Sequence, residues 1–311
     1  MRSFSLCVTT FVFSMVAFAQ VDSYQTSKDL ADQGKYKQAI EVLNELITNH
    51  PNSPRFYMDR ADYLIEMKQY NEALENMNLA IKRMPDTVSI LEYRGDLLYL
   101  FQDFTASAKD FEKAIKLTSD TDSSLLAALY GGLGNAKEGL RDFEEAYKVL
   151  FKAFKLDSTN VPNLNNISTT CMELKRYEES FGYLDRIIAL DSTVPYAWIN
   201  YGFTLQQMGK YAESIRYLDK AIELEPESAF SYSNRSYSKL KSNDLNGAMT
   251  DINKSIKLME SNSWAYKNRA LIYLELGKDK KACKDFETSL DLGFTKQYGP
   301  EVRDLWREHC R

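Results

Sequence analysis

Few residues in this chain have the types and spacing needed for catalysis or metal binding. The two histidines, His50 and His309, lie near opposite ends of the sequence. Two histidines are therefore too few for a multi-histidine metal site, and they give little basis for a cysteine–histidine nucleophile. Cys283, His309 and Cys310 would supply only three ligands, two of them adjacent. We therefore expect no metal, no cofactor and no small-molecule substrate.

Two further patterns have structural explanations. The Gly-x-Gly within residues 130–135 follows no predicted strand, which a phosphate-binding loop requires. The acidic pairs Glu144–Glu145 and Glu178–Glu179 open predicted helices, where carboxylates favour the helix dipole. The sequence therefore favours a binding protein over an enzyme.

Composition narrows the class of protein further. The 311 residues include only 7 Pro and 13 Gly, with 27% charged and 44% hydrophobic residues, which argues against disorder. The formal net charge of −5 argues against electrostatic binding of nucleic acid. A mean hydropathy of −0.43 argues against a polytopic membrane protein. Length alone would suggest two domains.

Residues 1–19 have the features of a signal peptide. One arginine precedes an apolar run from Phe4 to Phe18, and the segment ends in a small-x-small motif at Ala19. We expect cleavage after Ala19, with Gln20 as the new N-terminus, and a periplasmic or extracellular protein without a transmembrane span. An uncleaved N-terminal anchor is the alternative.

A small residue recurs every 34 residues, with a single gap of 39. The series is Ala39, Ala73, Ser107, Ala146, Ser180, Ser214, Ala248 and Ala282. Apolar residues between them follow helical spacing, so each unit is predicted to be two helices joined by a tight turn. Gly34, Gly209, Asn243 and Gly277 occupy that turn, where a left-handed residue is favoured. The predicted repeats cover 20–53, 54–87, 88–121, 127–160, 161–194, 195–228, 229–262 and 263–296.

The stretch AWINYGFTLQQMGKYAESIRYLDKAIELEP, residues 197–226, is close to the pattern W-x2-L-G-x2-Y, then A-x3-F, A and P. The chain thus resembles a tetratricopeptide repeat protein of the bacterial exported type. The resemblance implies an all-α, right-handed superhelical solenoid with residues 297–311 as a C-terminal capping helix. Residues 122–126 are left as an insert that we expect to lengthen the connection between repeats three and four. It would either divide the array into two stacks or form a neutral loop.

In that family, repeat positions 2, 5, 6, 9, 12 and 13, counted from the first residue of each repeat, face a ligand groove. Position 6 of the last four repeats is always asparagine, which can bond a peptide backbone; these residues are Asn166, Asn200, Asn234 and Asn268. Positions 2 and 9 supply an aromatic strip of Tyr196, Phe230, Trp264, Phe203 and Tyr237. The alternative for the asparagines is that this residue is merely the family consensus at position 6. The alternative for the aromatic strip is packing between repeats.

The earlier repeats lack both patterns. They place Asp59, Asp62, Glu92 and Asp96 on the equivalent face, which would attract a basic segment or simply be solvated. Near the C-terminus, Cys283 and Cys310 would come level if their helices pack antiparallel, and a disulfide is then favoured in an oxidising compartment. Two reduced thiols are the alternative, and Cys171 is expected in the core.

These features predict a non-enzymatic scaffold that holds extended segments of a protein or peptide partner. The alternative is a structural adaptor subunit that uses its convex surface or the insert.

Overall fold

The computed structural model describes residues 23–310, which form eighteen helices and no strand. Helix α1 covers residues 23–32. The others are α2 (Tyr36–Asn49), α3 (Pro54–Glu66), α4 (Tyr70–Arg83), α5 (Val88–Leu100), α6 (Phe104–Leu117), α7 (Ser123–Gly139), α8 (Phe143–Leu156), α9 (Val161–Glu173), α10 (Tyr177–Leu190), α11 (Pro195–Gln207), α12 (Tyr211–Leu224), α13 (Ala229–Lys241), α14 (Leu245–Leu258), α15 (Ser263–Glu275), α16 (Asp279–Asp291), α17 (Phe294–Tyr298) and α18 (Glu301–His309).

Consecutive helices pair as the sequence predicts, so the all-α repeat fold is confirmed for the described part of the chain. The proposed cleavage site at Ala19 and Gln20 lies outside the described residues. Within residues 23–310, no helix has both the length and the apolar character needed to cross a bilayer.

The turn inside every repeat contains one residue in the left-handed conformation. Four of these are the predicted Gly34, Gly209, Asn243 and Gly277, with φ between 64° and 74°. The other four are Lys68, Gln102, Arg141 and Lys175, with φ between 60° and 63°. Side chains with a Cβ cost about 1–2 kcal/mol in this conformation. The geometry of the turn is therefore dictated by the repeat, even where no glycine supplies it.

The small residues allow the paired helices to approach closely. Phe111, only 2% exposed, fills the space that Gly95 and Gly132 leave open. Where serine replaces alanine, its hydroxyl bonds the partner helix. Ser107 Oγ, for example, donates to the Gly95 carbonyl at 2.8 Å. These serines are fully buried yet satisfied, so they do not disturb the interior.

A repeated arginine bridge joins neighbouring repeats, and the sequence analysis did not find it. Arg94 reaches forward to Asp110 through two bonds of 2.7 Å and back to Asn78 at 2.7 Å. Arg235 likewise bonds Asp251 on the following helix and Asp219 on the preceding one. Arg269 bonds Asp285 and Asn253 in the same way. In each case both partners lie sixteen residues away, so each arginine ties three helices together.

The chain divides into two compact units, one up to Ser158 and the other from Thr159 onward. The division falls after the fourth repeat and not at the insert. Each unit has its own buried clusters. Those of the first unit include Leu43, Tyr57, Met77, Phe111 and Leu129, and those of the second include Ile252, Ile272, Phe286 and Phe294.

The expectation that residues 122–126 lengthen a linker is wrong for most of the insert, because the connection 118–122 has only one residue more than 84–87 or 157–160. Helix α7 has 17 residues, whereas α5 and α9 have 13, so most of the insert extends the helix. Asp122 starts it by accepting a bond from the Leu125 N–H at 3.2 Å. Leu126 is then buried in the first unit. The Asp122 cap and the burial of Leu126 thus explain why α7 begins within the insert.

The C-terminal residues close the end of the second unit, as the expected capping helix would. Phe294 and Val302 are fully buried against α15 and α16, and partly buried Leu305 and Trp306 pack beside them. His309 is exposed. Cys283 and Cys310 form a disulfide with a Cα–Cα distance of 5.5 Å, which fastens the end of α18 to α16.

Candidate functional site

A cavity of about 670 Å³ opens on the first helices of the second unit. Helices α9, α11, α13 and α15 and the C-terminal segment all contribute to its walls. Because repeats stack in register, residues 34 apart lie side by side on successive helices. The lining residues include eight of the nine predicted groove residues, namely Tyr196, Asn200, Phe203, Phe230, Asn234, Tyr237, Trp264 and Asn268. Asn166 is not among them.

The aromatic rings at position 2 are only partly covered. Tyr196 is 39% exposed and Phe230 is 51% exposed. Trp264 is half-buried because it packs edge-on against Phe294 at 4.8 Å and Tyr298 at 5.2 Å. The first two rings therefore present apolar surface to the cavity, whereas Trp264 also helps to hold the C-terminal segment. Packing between repeats explains only part of this strip.

The four asparagines are not equivalent. The Asn200 amide donates to Asn165 Oδ1 at 2.7 Å, and Asn166 also takes part in contacts. Asn268 is 3% exposed, and its amide lies 3.3 Å from both the carbonyl and the hydroxyl of Ser233. Half-buried Asn234 makes no side-chain hydrogen bond within the described range. The expected row of four free amides thus reduces to Asn234 with partial contributions from its neighbours.

Gln206 fixes the spacing between two of the helices that carry these asparagines. Its amide donates to the Asn234 carbonyl and to the Ser238 hydroxyl, both at 2.7 Å. Gln206 is 5% exposed, so these bonds are shielded from water. The wall between α11 and α13 is therefore held by side chain to main chain contacts and not by apolar packing alone.

The cavity also contains an ion pair that was not predicted from the sequence. Lys267 is 4% exposed, and its Nζ lies 2.8 Å from Glu301 Oε1. The same ammonium lies 4.4 Å from the Trp264 ring centroid. Burial lowers the pKa of Lys267, and the Glu301 carboxylate opposes that shift. One carboxylate and a set of rings therefore offset the cost of burying this ammonium.

The 34-residue step was the clue that could have identified this pair. One step beyond Trp264 is Tyr298, and one step beyond Lys267 is Glu301, and both line the cavity. The C-terminal segment therefore continues the 34-residue register at two positions, although Tyr298 lies on α17 and Glu301 on α18. The predicted repeats end at residue 296, and the remainder was predicted only as a cap.

The four carboxylates that were predicted to face the groove of the first unit, Asp59, Asp62, Glu92 and Asp96, interact with nearby groups. The Tyr24 hydroxyl donates to Asp59 at 2.5 Å, and the Tyr93 hydroxyl donates to Asp62. Burial raises the pKa values of Asp62, Glu92 and Asp96. Two of the four carboxylates thus link neighbouring repeats, which supports a structural contribution beside any attraction for a basic segment.

Residues with possible chemistry have structural roles where the structure describes them. Cys171 is fully buried, and burial raises its pKa to about 12, so it is a thiol at neutral pH. Gly134 leaves room for Leu150, because an added Cβ would lie 2.4 Å from that side chain. Among residues 23–310, no three His, Cys, Asp or Glu side chains are grouped as a metal site would require.

Comparison with known families fits this geometry. Tetratricopeptide repeat models match residues 30–91, 195–228 and 265–292. The chain is a tetratricopeptide repeat protein. No curated protein sequence matches this tetratricopeptide repeat protein.

Solved structures show the same fold at low sequence identity. A tetratricopeptide repeat protein from Parabacteroides merdae has a TM-score of 0.57 and 17% identity, over 94% of this chain and 99% of that one. The APC/C hetero-tetramer Cut9–Hcn1 has a TM-score of 0.64 and 15% identity, over 89% of this chain and 53% of that one. The C-terminal part of a Cytophaga hutchinsonii repeat protein has a TM-score of 0.50 and 18% identity, over 79% and 98%. At these identities the likeness supports the tetratricopeptide repeat fold alone.

Proposed function

We propose that this tetratricopeptide repeat protein is a non-enzymatic scaffold whose second unit holds an extended segment of a partner protein. The observation that carries the proposal is the cavity in which half-exposed rings and amide groups from successive repeats stand side by side. Tetratricopeptide repeats are typical protein-interaction modules, which supports the general function. The choice of this cavity is our own inference from its chemistry.

The cavity matches the needs of a polypeptide in two respects. Phe230 and Tyr196 offer flat apolar surface for side chains, and such aromatic contacts dominate many protein interfaces. Asn234 has both donors and an acceptor available, so it can bond an N–H and a C=O of an extended main chain. Main-chain recognition through one amide and side-chain recognition through rings favours moderate affinity and broad sequence tolerance.

We also propose that the protein acts in a periplasmic or extracellular compartment. The signal-like residues 1–19 support export. The Cys283–Cys310 disulfide supports an oxidising environment, because disulfides rarely persist in the reducing cytosol. Fusion of residues 1–30 to a reporter enzyme that is active only after export would test this. Reporter activity that is retained when residues 1–19 are deleted would contradict it.

The binding proposal is tested on an array of immobilised random twelve-residue peptides. We expect Phe230→Ala and Asn234→Ala each to weaken binding about five- to thirtyfold, equivalent to about 1–2 kcal/mol. Leu100→Ala is the matched control, since Leu100 is 68% exposed in the first unit and distant in the repeat order. Unchanged peptide binding in both cavity variants, or equal loss in Leu100→Ala, would refute the assignment of the cavity.

The alternative of a structural adaptor has less support from the structure than the peptide-binding scaffold. It relied on the insert as a possible docking element, and helix α7 incorporates most of that segment. Exposed apolar residues at the turns of repeats three and four, namely Leu100, Phe101 and Leu140, still favour a role for that edge of the first unit. Their substitution by serine would abolish assembly without changing peptide binding if this alternative holds.

A further inference from the structure

The C-terminal segment is a wall of the cavity as well as the end of the fold. Tyr298 and Glu301 both line the cavity, and each lies one 34-residue step beyond a lining residue of repeat eight. Glu301 also supplies the carboxylate that pairs with buried Lys267 at 2.8 Å. Movement of this segment would therefore change the shape and the charge of the cavity together.

Side-chain packing and one disulfide hold this wall in place. Helix α17 has 5 residues and α18 has 9, both too short to be stable as isolated helices. Phe294 of α17 and Val302 of α18 are fully buried, and the Trp306 indole N–H donates to Glu287 at 3.3 Å. The far end of α18 is fastened covalently by the Cys283–Cys310 disulfide. Beyond Val302, the disulfide therefore supplements partly buried side chains in holding α18.

We propose that the Cys283–Cys310 disulfide is a redox switch for the cavity, whose reduction releases α18 and exposes Lys267. The effect of this switch on peptide capture rests on the proposed peptide-binding function, whereas the movement of α18 does not. Oxidised protein has the closed wall described here. Reduced protein has a wider cavity in which Lys267 has lost its carboxylate partner.

The reductant is a dithiol, by chemical class. One of its thiolates attacks a protein sulfur, the protein S–S bond breaks, and the departing cysteine thiolate takes a proton. The second thiol of the reagent then attacks the mixed disulfide and releases the other cysteine, which is also protonated. Two electrons and two protons pass to the protein, and the dithiol becomes a cyclic disulfide. Both protein cysteines are partly buried.

Release of α18 has a direct electrostatic consequence. A buried ammonium that loses its carboxylate is strongly destabilised, so Lys267 must move toward water or accept a new anion. The Trp264 ring, 4.4 Å from that ammonium, belongs to α15 and stays beside it. The reduced cavity is consequently more open and more positive than the oxidised one.

Acetylation of lysines by an N-hydroxysuccinimide ester tests the switch in the full chain without any ligand. Peptide mass spectrometry would compare Lys267 with exposed Lys210 before and after treatment with dithiothreitol. We expect the Lys267 rate to rise at least about tenfold on reduction while Lys210 stays constant. The Cys283→Ser/Cys310→Ser variant should react rapidly at Lys267 from the start and ignore the reductant.

Hydrogen exchange supplies the second measurement. Reduction should raise exchange in α17 and α18 and leave α13 protected. A Lys267 rate that is unchanged although both thiols can be alkylated would overturn the proposal. Exchange that rises equally through α13 would also overturn it, since the disulfide would then stabilise the whole unit. If the oxidised protein binds no peptide, the result contradicts the proposed function but does not affect the proposed switch.

Discussion

Replacement of Gly132 by alanine is expected to destabilise the first unit, although alanine is the better helix former. Gly132 lies inside helix α7, where the change alone would stabilise the helix by about 1 kcal/mol. A Cβ at this position would lie 2.3 Å from Cζ of Phe111, well inside contact distance. Phe111 is 2% exposed, and Gly95 already faces the same ring, so the ring has no space to retreat.

The size of the effect follows from these opposing contributions. Insertion of a methyl group into a filled interior costs about 1–3 kcal/mol. With a clash this deep we take the upper end, so the net loss at Gly132 is about 2 kcal/mol after the helix gain is subtracted. Gly182→Ala is the matched control, because nothing lies within 4 Å of its added Cβ in helix α10. That variant should gain about 1 kcal/mol.

Native-state hydrogen exchange measures both changes locally, which suits an array of repeats that need not unfold in one step. The opening free energy of α7 should fall in Gly132→Ala, and that of α10 should rise in Gly182→Ala. A second substitution, Phe111→Leu, should recover part of the loss at Gly132, since it removes the ring edge. Equal stabilisation by both alanine variants would refute the close-packing argument.

Three further predictions concern the bridges, the turns and pH. Asp251→Asn should cost about 2–3 kcal/mol in urea denaturation and Asp219→Asn less than about 1, because both carboxylates bond Arg235 at 2.7 Å but are 5% and 54% exposed. Lys175→Gly should raise the opening free energy of its repeat by about 0.5–1 kcal/mol, since it relieves the left-handed strain; a loss would contradict this. Burial raises the pKa of Glu92, so folding is favoured when this group is protonated and the advantage is lost as pH rises through that pKa. Glu92→Gln should therefore stabilise the first unit at pH 7, with a difference in melting temperature that shrinks in acid.

The repeat boundaries could be predicted because they depend on local requirements. A small residue every 34 positions and a residue that tolerates positive φ fix where helices meet and turn, and first helices begin at Pro54, Val88 and Pro195 as expected. Half of the residues that line the cavity followed from the same register together with the family resemblance. Eight lining residues were named from their positions.

Other features depend on side-chain direction, which spacing does not reveal. The arginine bridges use partners sixteen residues away on two other helices, a separation with no local meaning. Asn200 and Asn268 have the repeat position of a ligand contact, yet their amides bond Asn165 and Ser233. The role of Glu301 was missed because the tail lacks a second helix of the repeat, so the periodic pattern seemed complete before it.

The placement of Tyr298 and Glu301 also affects the order in which the molecule is made. Chains fold from the N-terminus during synthesis, at about 5–20 residues per second. All eight helix pairs precede residue 298 in the sequence, so each can pack before the last wall of the cavity exists. Residues 297–311 need about 1–3 s more. The cavity therefore gains its last wall only after the helix pairs that form its other walls have been synthesised.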